Sequence, residues 1–135
     1  FAAGANIKQV AALNAGEAGD FALLGQHVFE LVRNSKKRTV AAINGFCMGG
    51  ALDLALSCRH RIAAPNAVFA HPGVQLGIIT GWGGTQMLPR LVGKKNAYRM
   101  FLTADRIGSP EALEIGLIDE ISNEPLERAI DFCME

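Results

Sequence analysis

Apolar and polar residues follow two different spacings along the chain. From Asp20 to Asn34 apolar residues recur every three or four positions, which predicts one amphipathic helix. Its apolar positions are Phe21, Leu24, Val28, Leu31 and Val32. Short apolar runs at 39–43, 61–64 and 67–70 are bounded by turn residues and predict strands. Because strands alternate with helices, the pattern favours an α/β fold.

Helix boundaries are marked most clearly in the second half of the chain. Ser109, Pro110 and Glu111 combine a capping hydroxyl, a proline and a first-turn carboxylate, which predicts a helix start. Gly116 is the predicted end of that helix. Thr85 is the predicted cap of a shorter helix that Pro89 interrupts. No linker divides the pattern, so we expect residues 1–135 to form a single domain.

A glycine turn follows the strand predicted at 39–43. The segment from Asn44 to Ala55 has the pattern of a strand end, a Gly49-Gly50 turn and a helix. Such a junction leaves backbone N–H groups free at a helix N-terminus, where they can stabilise an oxyanion. Glycine pairs also end strands simply because the chain turns tightly there. This segment alone therefore does not decide between a binding site and a turn.

Composition excludes several classes of protein. Half of the 135 residues are hydrophobic, which is enough to form one buried core, and 19% are charged. Thirteen basic and thirteen acidic residues cancel, so no overall charge favours nucleic acid or an anionic membrane. Three cysteines without metal-ligand spacing argue against a disulfide framework or a metal site. They fit a reducing compartment, the cytoplasm or, in a eukaryote, the mitochondrial matrix.

The chain starts at Phe1 rather than at methionine and ends at Glu135 inside a helical pattern. We therefore expect it to be an excerpt of a longer polypeptide. No apolar run approaches the roughly 20 residues that span a bilayer, and we expect no membrane partner.

Four further segments, together with the glycine turn, resemble the crotonase family of enoyl-CoA hydratases and isomerases in the family's order. They are FAAGANIK at 1–8, HPGVQLGIITGWGGTQ at 71–86, LTADRI at 102–107 and EALEIGLI at 111–118. The resemblance covers nearly the whole chain. It implies a crotonase-like spiral of ββα units, incomplete at both ends, and a homotrimer or dimer of trimers. It also implies an acyl-CoA-processing enzyme whose substrate is a coenzyme A thioester, without a prosthetic group.

The resemblance also implies how such a site works. Reactions next to a thioester pass through an enolate, and the family's two oxyanion amides fall on Ala5 and Gly50. Family hydratases use two glutamates for proton transfer, and their places fall on Asp53 and Gly73. Asp53 keeps a carboxyl group on a shorter arm, although a first-turn helix carboxylate is the alternative interpretation. Gly73 can transfer no proton.

Because other branches of the family place their acid and base groups elsewhere on the same frame, three neighbouring side chains are further candidates: His71, Thr80 and Trp82. His71 lies close to the missing carboxylate in sequence and would titrate near neutrality, or it is a packed side chain. Trp82 shapes the acyl pocket or packs in the interior. Gly81-Trp82-Gly83-Gly84 lacks the spacing of a dinucleotide site, so no nicotinamide or flavin is expected.

The first segment resembles the family loop that lines the coenzyme A site. The residues so implied are Ala3, Gly4, Asn6, Ile7 and Lys8. Small residues let the ligand approach the backbone, and Lys8 offers a cation for phosphate, although a lone lysine is usually solvated. Asn6 stands where the family often has aspartate.

The vacant second carboxylate position leaves more than one function open. The leading hypothesis is an enoyl-CoA hydratase or isomerase. The alternatives are a different enolate reaction, such as hydrolysis or decarboxylation, and a crotonase-fold protein that binds acyl-CoA without turnover. A unit of a multifunctional β-oxidation polypeptide is a further possibility.

Overall fold

Six α-helices, six β-strands and one 3₁₀ helix make up the computed structural model, which describes all of residues 1–135. The helices are α1 (Ile7–Ala11), α2 (Ala15–Arg33), α3 (Gly50–Ser57), α4 (Gly84–Thr103), α5 (Ser109–Glu114) and α6 (Pro125–Met134). The strands are β1 (Val40–Ile43), β2 (Phe46–Met48), β3 (His60–Ala63), β4 (Val68–Ala70), β5 (Ile107–Gly108) and β6 (Glu120–Ile121). The 3₁₀ helix spans Pro72–Leu76.

The strands form two three-stranded sheets. In one sheet β1, β3 and β6 run parallel, and in the other β2 pairs parallel with β4, which pairs antiparallel with β5. Successive ββα units, β1-β2-α3 and β3-β4-α4, each place one strand in either sheet. This arrangement confirms the predicted α/β spiral of ββα units.

The strand that enters the glycine turn differs from the predicted one. It is β2, Phe46–Met48, and not the run at 39–43, which forms β1 in the other sheet. Three residues are too few to show a periodicity, and the polar Asn44 and Gly45 hid the strand within a turn-like segment. The helix after the turn, α3, was predicted correctly.

Helix α2 was predicted, but its buried face was not. Leu24 and Leu31 are 62% and 61% exposed, whereas Gly25 and Phe29 are buried. A glycine carries no hydrophobic signal, so the periodicity included the exposed Leu24 and Leu31 and missed Gly25. The reason that the glycine side faces inward lies in the packing of Trp82, described below.

The predicted caps in the second half were partly wrong. Gly83, not Thr85, is the N-cap of α4, and the helix runs through Pro89 to a break at Gly93, where φ is +78°. Pro89 lies in the second turn and has no N–H to donate to the Thr85 carbonyl, yet the helix continues past it. The Ser109 hydroxyl makes no cap bond and instead donates to the Ala64 carbonyl at 2.6 Å.

The core lies between the two sheets and the helices α3 and α4. A cluster of 17 buried apolar residues includes Ile43, Leu52, Phe69 and Met100. Its packing holds the amino end of α3 in place, and the cavity described next lies at that end. None of the six helices combines the length and the apolar character needed to cross a bilayer.

Candidate active site

The start of the chain runs alongside the strand that enters the glycine turn. Ala2 and Cys47 form a parallel bridge, in which the Ala2 N–H donates to the Phe46 carbonyl at 2.8 Å and the Met48 N–H donates to the Ala2 carbonyl at 3.1 Å. In a parallel pair, positions equally far beyond the bridge lie side by side. Ala5 and Gly50 each lie three residues beyond it. The two predicted amides therefore lie just beyond the stretch in which the two segments pair.

Both segments turn out of this pairing at a glycine with positive φ. Gly4 has φ +108° and Gly49 has φ +55°. A Cβ on Gly4 would lie 2.9 Å from the Met48 carbonyl oxygen and 3.6 Å from the Gly50 nitrogen, so only glycine allows this approach. The Ala5 and Gly50 N–H groups donate to no backbone or side-chain acceptor in the chain. Two unpaired donors thus lie on adjacent segments.

A cavity of about 570 Å³ opens in front of these two turns. Its wall is mostly apolar and includes the predicted site residues Ala3, Gly4, Ala5, Ile7, Gly50, His71 and Trp82. An apolar cavity with a few polar groups is the usual form of a small-molecule site. The structure therefore brings seven of the ten predicted site residues to one cavity.

Three predicted residues do not line the cavity. The Asn6 side chain caps α1 by accepting from the Lys8 and Gln9 backbone N–H groups at 3.1 and 3.4 Å. Lys8 is exposed on the short helix α1. Asp53 is buried, only 2% exposed, and lies behind the wall.

Trp82 forms one wall of the cavity and packs against two glycines. A Cβ on Gly25 or on Gly50 would overlap the indole ring. The ring also packs against Phe21 and Phe29, with centroids 5.0 and 5.5 Å away, and its Nε1–H donates to the Phe21 carbonyl at 3.2 Å. Both expectations for Trp82 are thus compatible, because it packs in the interior and shapes the cavity.

This packing predicts opposite effects of the same substitution at two positions of α2. Gly25→Ala should lower the free energy of unfolding by about 1–3 kcal/mol because the methyl group displaces Trp82. Gly19→Ala, where nothing lies within 4 Å of the added methyl, should raise it by about 0.5–1 kcal/mol through helix propensity. Urea unfolding midpoints measure both. Equal shifts of the two variants would contradict the packing.

Asp53 forms a polar cluster with two side chains that line the cavity, His71 and Thr80. The Thr80 hydroxyl donates to Asp53 Oδ2. His71 Nε2 lies 3.4 Å from Asp53 Oδ1, yet neither of these two buried atoms has a hydrogen-bond partner. A Cβ on Gly84, at the start of α4, would overlap Asp53 Oδ1, so the carboxylate is enclosed from that side as well.

Burial changes the charge state of this cluster. It raises the pKa of the Asp53 carboxyl to about 6, against the opposing hydrogen bond from Thr80. It lowers the pKa of His71 to about 4, which favours the packed side chain of the two interpretations given for His71. Burial also raises the pKa of the nearby Cys47 thiol to about 12. Asp53 is therefore the group of this cluster that changes charge just below neutral pH.

The vacant carboxylate position is closed as well as empty. Gly73 lines the cavity within the 3₁₀ helix, but a Cβ there would lie 2.7 Å from the Ile78 carbonyl oxygen. The Ile78 N–H donates to the Gly73 carbonyl at 3.0 Å, which holds the two segments together. A longer side chain at this position requires the loop to move.

Sequence reasoning missed Gly25, and it named Thr80 as a candidate without giving it a specific role. Gly25 was hidden because a helical glycine reads as a weak position. Thr80 stands in a glycine-rich stretch that shows no periodicity, and only the fold reveals that its hydroxyl meets Asp53.

Comparison with known proteins gives a consistent result. The family model of enoyl-CoA hydratase/isomerase matches residues 1–133. A crotonyl-CoA hydratase of Syntrophomonas wolfei is 50% identical over 121 residues, which are 90% of this chain and 46% of the relative. A short-chain-enoyl-CoA hydratase of Clostridium acetobutylicum is 45% identical over 127 residues, 94% of this chain and 48% of the relative. The chain thus spans about half the length of these relatives.

Solved structures agree with the sequence comparison. The crystal structure of an enoyl-CoA hydratase from Bacillus anthracis superposes with a TM-score of 0.92 at 36% identity, covering 99% of this chain and 53% of that one. A match of the family model to nearly every residue, supported by relatives at 45% identity or more and by the same fold, has one explanation. The chain belongs to the enoyl-CoA hydratase/isomerase family, the crotonase family.

Proposed function

We propose that this protein processes acyl-CoA thioesters as an enoyl-CoA hydratase or isomerase. The observation that carries the proposal is the pair of unpaired N–H groups, Ala5 and Gly50, in register at the mouth of an apolar cavity. The two relatives named above, a crotonyl-CoA hydratase and a short-chain-enoyl-CoA hydratase, support the same substrate class.

In this proposal the two amides bind the thioester carbonyl oxygen. Negative charge develops on that oxygen as the enolate forms, and the hydrogen bonds from both N–H groups become stronger. The Gly50 N–H lies at the N-terminus of α3, where the helix dipole favours negative charge. The cavity holds the acyl chain against the Trp82 wall and excludes water from the enolate.

Asp53 is the proposed acid and base. A carboxyl group with a pKa of about 6 can accept a proton and return it near neutral pH. His71 remains uncharged and packs beside Phe101, with ring centroids 4.8 Å apart, which supports a positioning role next to Asp53. Ala3, Gly4 and Ile7 contact the substrate from the N-terminal segment, and Lys8 supplies a cation near the cavity mouth.

We propose that the substrate coenzyme A thioester is the only small-molecule partner and that copies of the chain associate into trimers. The helices α2 and α6 present exposed apolar residues, which support association. They are Leu23, Leu24, Leu31, Leu126, Ile130 and Met134. Three free cysteines support a reducing compartment such as the cytoplasm or the mitochondrial matrix.

Turnover of crotonyl-CoA by the full-length protein tests the proposal. We expect loss of the enoyl thioester absorbance and formation of 3-hydroxybutyryl-CoA, with saturation at micromolar to millimolar substrate. Titration calorimetry with the saturated butyryl-CoA measures binding in the same preparation. Binding without any turnover would favour a non-catalytic acyl-CoA-binding protein and would contradict the proposed activity.

A different enolate reaction is the second candidate, and the closed Gly73 position favours it. Exchange of the α-hydrogens of butyryl-CoA in deuterated water reports enolate formation whatever reaction follows. Exchange without hydration of crotonyl-CoA would support this second candidate. The absence of both would exclude the proposed amide site.

A further inference from the structure

We propose that Thr80 is a catalytic residue whose hydroxyl carries protons between the cavity and the buried carboxylate of Asp53. This inference rests on the proposed function, because it concerns the proton transfers of that reaction. The roles of the glycine turn and of the two amides do not involve Thr80, so this inference gives that side chain a role of its own.

Asp53 needs an intermediary to reach substrate. Its carboxyl group is 1% exposed and does not line the cavity, whereas Thr80 is half-buried and does line it. The Thr80 hydroxyl donates to Asp53 Oδ2. Thr80 thus has one side on the cavity and the other on the carboxylate, which is the arrangement that a proton relay requires.

His71 is the other cavity residue beside Asp53, and it is less suited to this role. Its Nε2 lies 3.4 Å from Asp53 Oδ1 without a hydrogen bond, so no proton path joins them. The titratable groups that face Asp53 are His71 and the Cys47 thiol, and both stay uncharged at neutral pH because burial shifts their pKa values. Neither competes with Asp53 for the relayed proton.

The hydration step balances through this relay alone. Water attacks the β-carbon, the double bond shifts to form the enolate, and the water proton passes to Thr80 Oγ1 as the Thr80 proton passes to Asp53 Oδ2. The enolate then reforms its carbonyl. Its α-carbon takes a proton from Thr80 Oγ1, and Asp53 returns its proton to Thr80. Water has then been added and the Asp53 carboxylate is regenerated, so the reaction needs no second acid at Gly73.

Kinetics of Thr80→Val and Thr80→Ser with crotonyl-CoA between pH 5 and 9 test the proposal. We expect Thr80→Val to lower kcat by about 10²-fold or more at every pH, with KM little changed. Thr80→Ser keeps the hydroxyl and should retain most of the activity. Thr85→Val is the matched control, because Thr85 is a nearby threonine that does not line this cavity. Thr80→Ala, checked by circular dichroism, replaces the valine variant if that variant does not fold.

Two results would overturn the relay while leaving the proposed function intact. The first is a Thr80→Val enzyme as active as the wild type while Asp53→Asn is inactive. The second is a loss that disappears at pH 9, where Asp53 is ionised in both proteins, because that behaviour belongs to a residue that only lowers the pKa of the carboxyl group. A wild-type protein that neither hydrates crotonyl-CoA nor exchanges the α-hydrogens of butyryl-CoA would overturn the proposed function and the relay together.

Discussion

Asp53→Asn is expected to lower kcat/KM for crotonyl-CoA by between roughly 10²-fold and 10⁴-fold, the usual contribution of a general acid or base. The asparagine amide has nearly the same shape but cannot accept a proton. Because Gly73 offers no second carboxyl group, no neighbouring side chain substitutes for it. Steady-state kinetics measure the loss, and Asp131→Asn, an exposed change on α6, is the control that should leave activity unchanged.

The same substitution should stabilise the protein above pH 6. The folded-state pKa of Asp53, about 6, is higher than its ordinary value of 3.8, so the folded protein favours the protonated carboxyl. That advantage is complete below pH 3.8 and is lost as the pH rises through 6, which costs about 3 kcal/mol when the group is fully ionised. Asp53→Asn removes this cost, and urea unfolding at pH 4 and pH 8 measures it. A stability difference that is equal at both pH values would show that Asp53 is not held in the state described here.

Ala5→Pro is expected to lower kcat for crotonyl-CoA by about 10²- to 10³-fold, because it deletes one of the two proposed oxyanion donors. The preceding Gly4 has no Cβ, which removes one of the two contacts by which a proline ring restricts the residue before it. Gly50 is not suitable for this test, since any side chain there would displace Trp82 and disturb the cavity wall.

Ala5→Ser provides the comparison, because it keeps the N–H and adds only a hydroxyl. We expect this variant to retain activity within a few-fold, with calorimetry of butyryl-CoA binding measured for both proteins. If Ala5→Pro folds, binds and turns over like Ala5→Ser, the Ala5 amide does not bind the thioester oxygen, and the proposed site loses one of its two donors.

Much of the site was predictable because its geometry depends on local backbone rules. Glycine is needed where φ is positive, and a helix start leaves N–H groups without partners, so Gly4, Gly49 and the start of α3 carry readable signals. The resemblance to the crotonase family added the link between Ala5 and Gly50, which are 45 residues apart in sequence. The fold then places both beside one cavity.

Side-chain environments were not predictable in the same way. The residue type of His71 left two interpretations open, and burial beside Phe101 lowers its pKa to about 4. The apolar pattern of α2 did not include Gly25, whereas the indole of Trp82 requires a glycine there. In both cases the partner that decides the outcome is far away in sequence.

By itself the sequence determined the alternation of strands and helices and the glycine turn beside a helix start, because these depend on residue type and on neighbours a few positions away. Its resemblance to the family implied the loss of one of two expected carboxyl groups. Only the tertiary structure decided that Asp53 lies behind the cavity wall, that Thr80 stands between it and the cavity, and that Trp82 closes over Gly25 and Gly50. Burial and contact between distant segments arise when the chain packs, and they set both the charge of a carboxyl group and the side chain through which it can act.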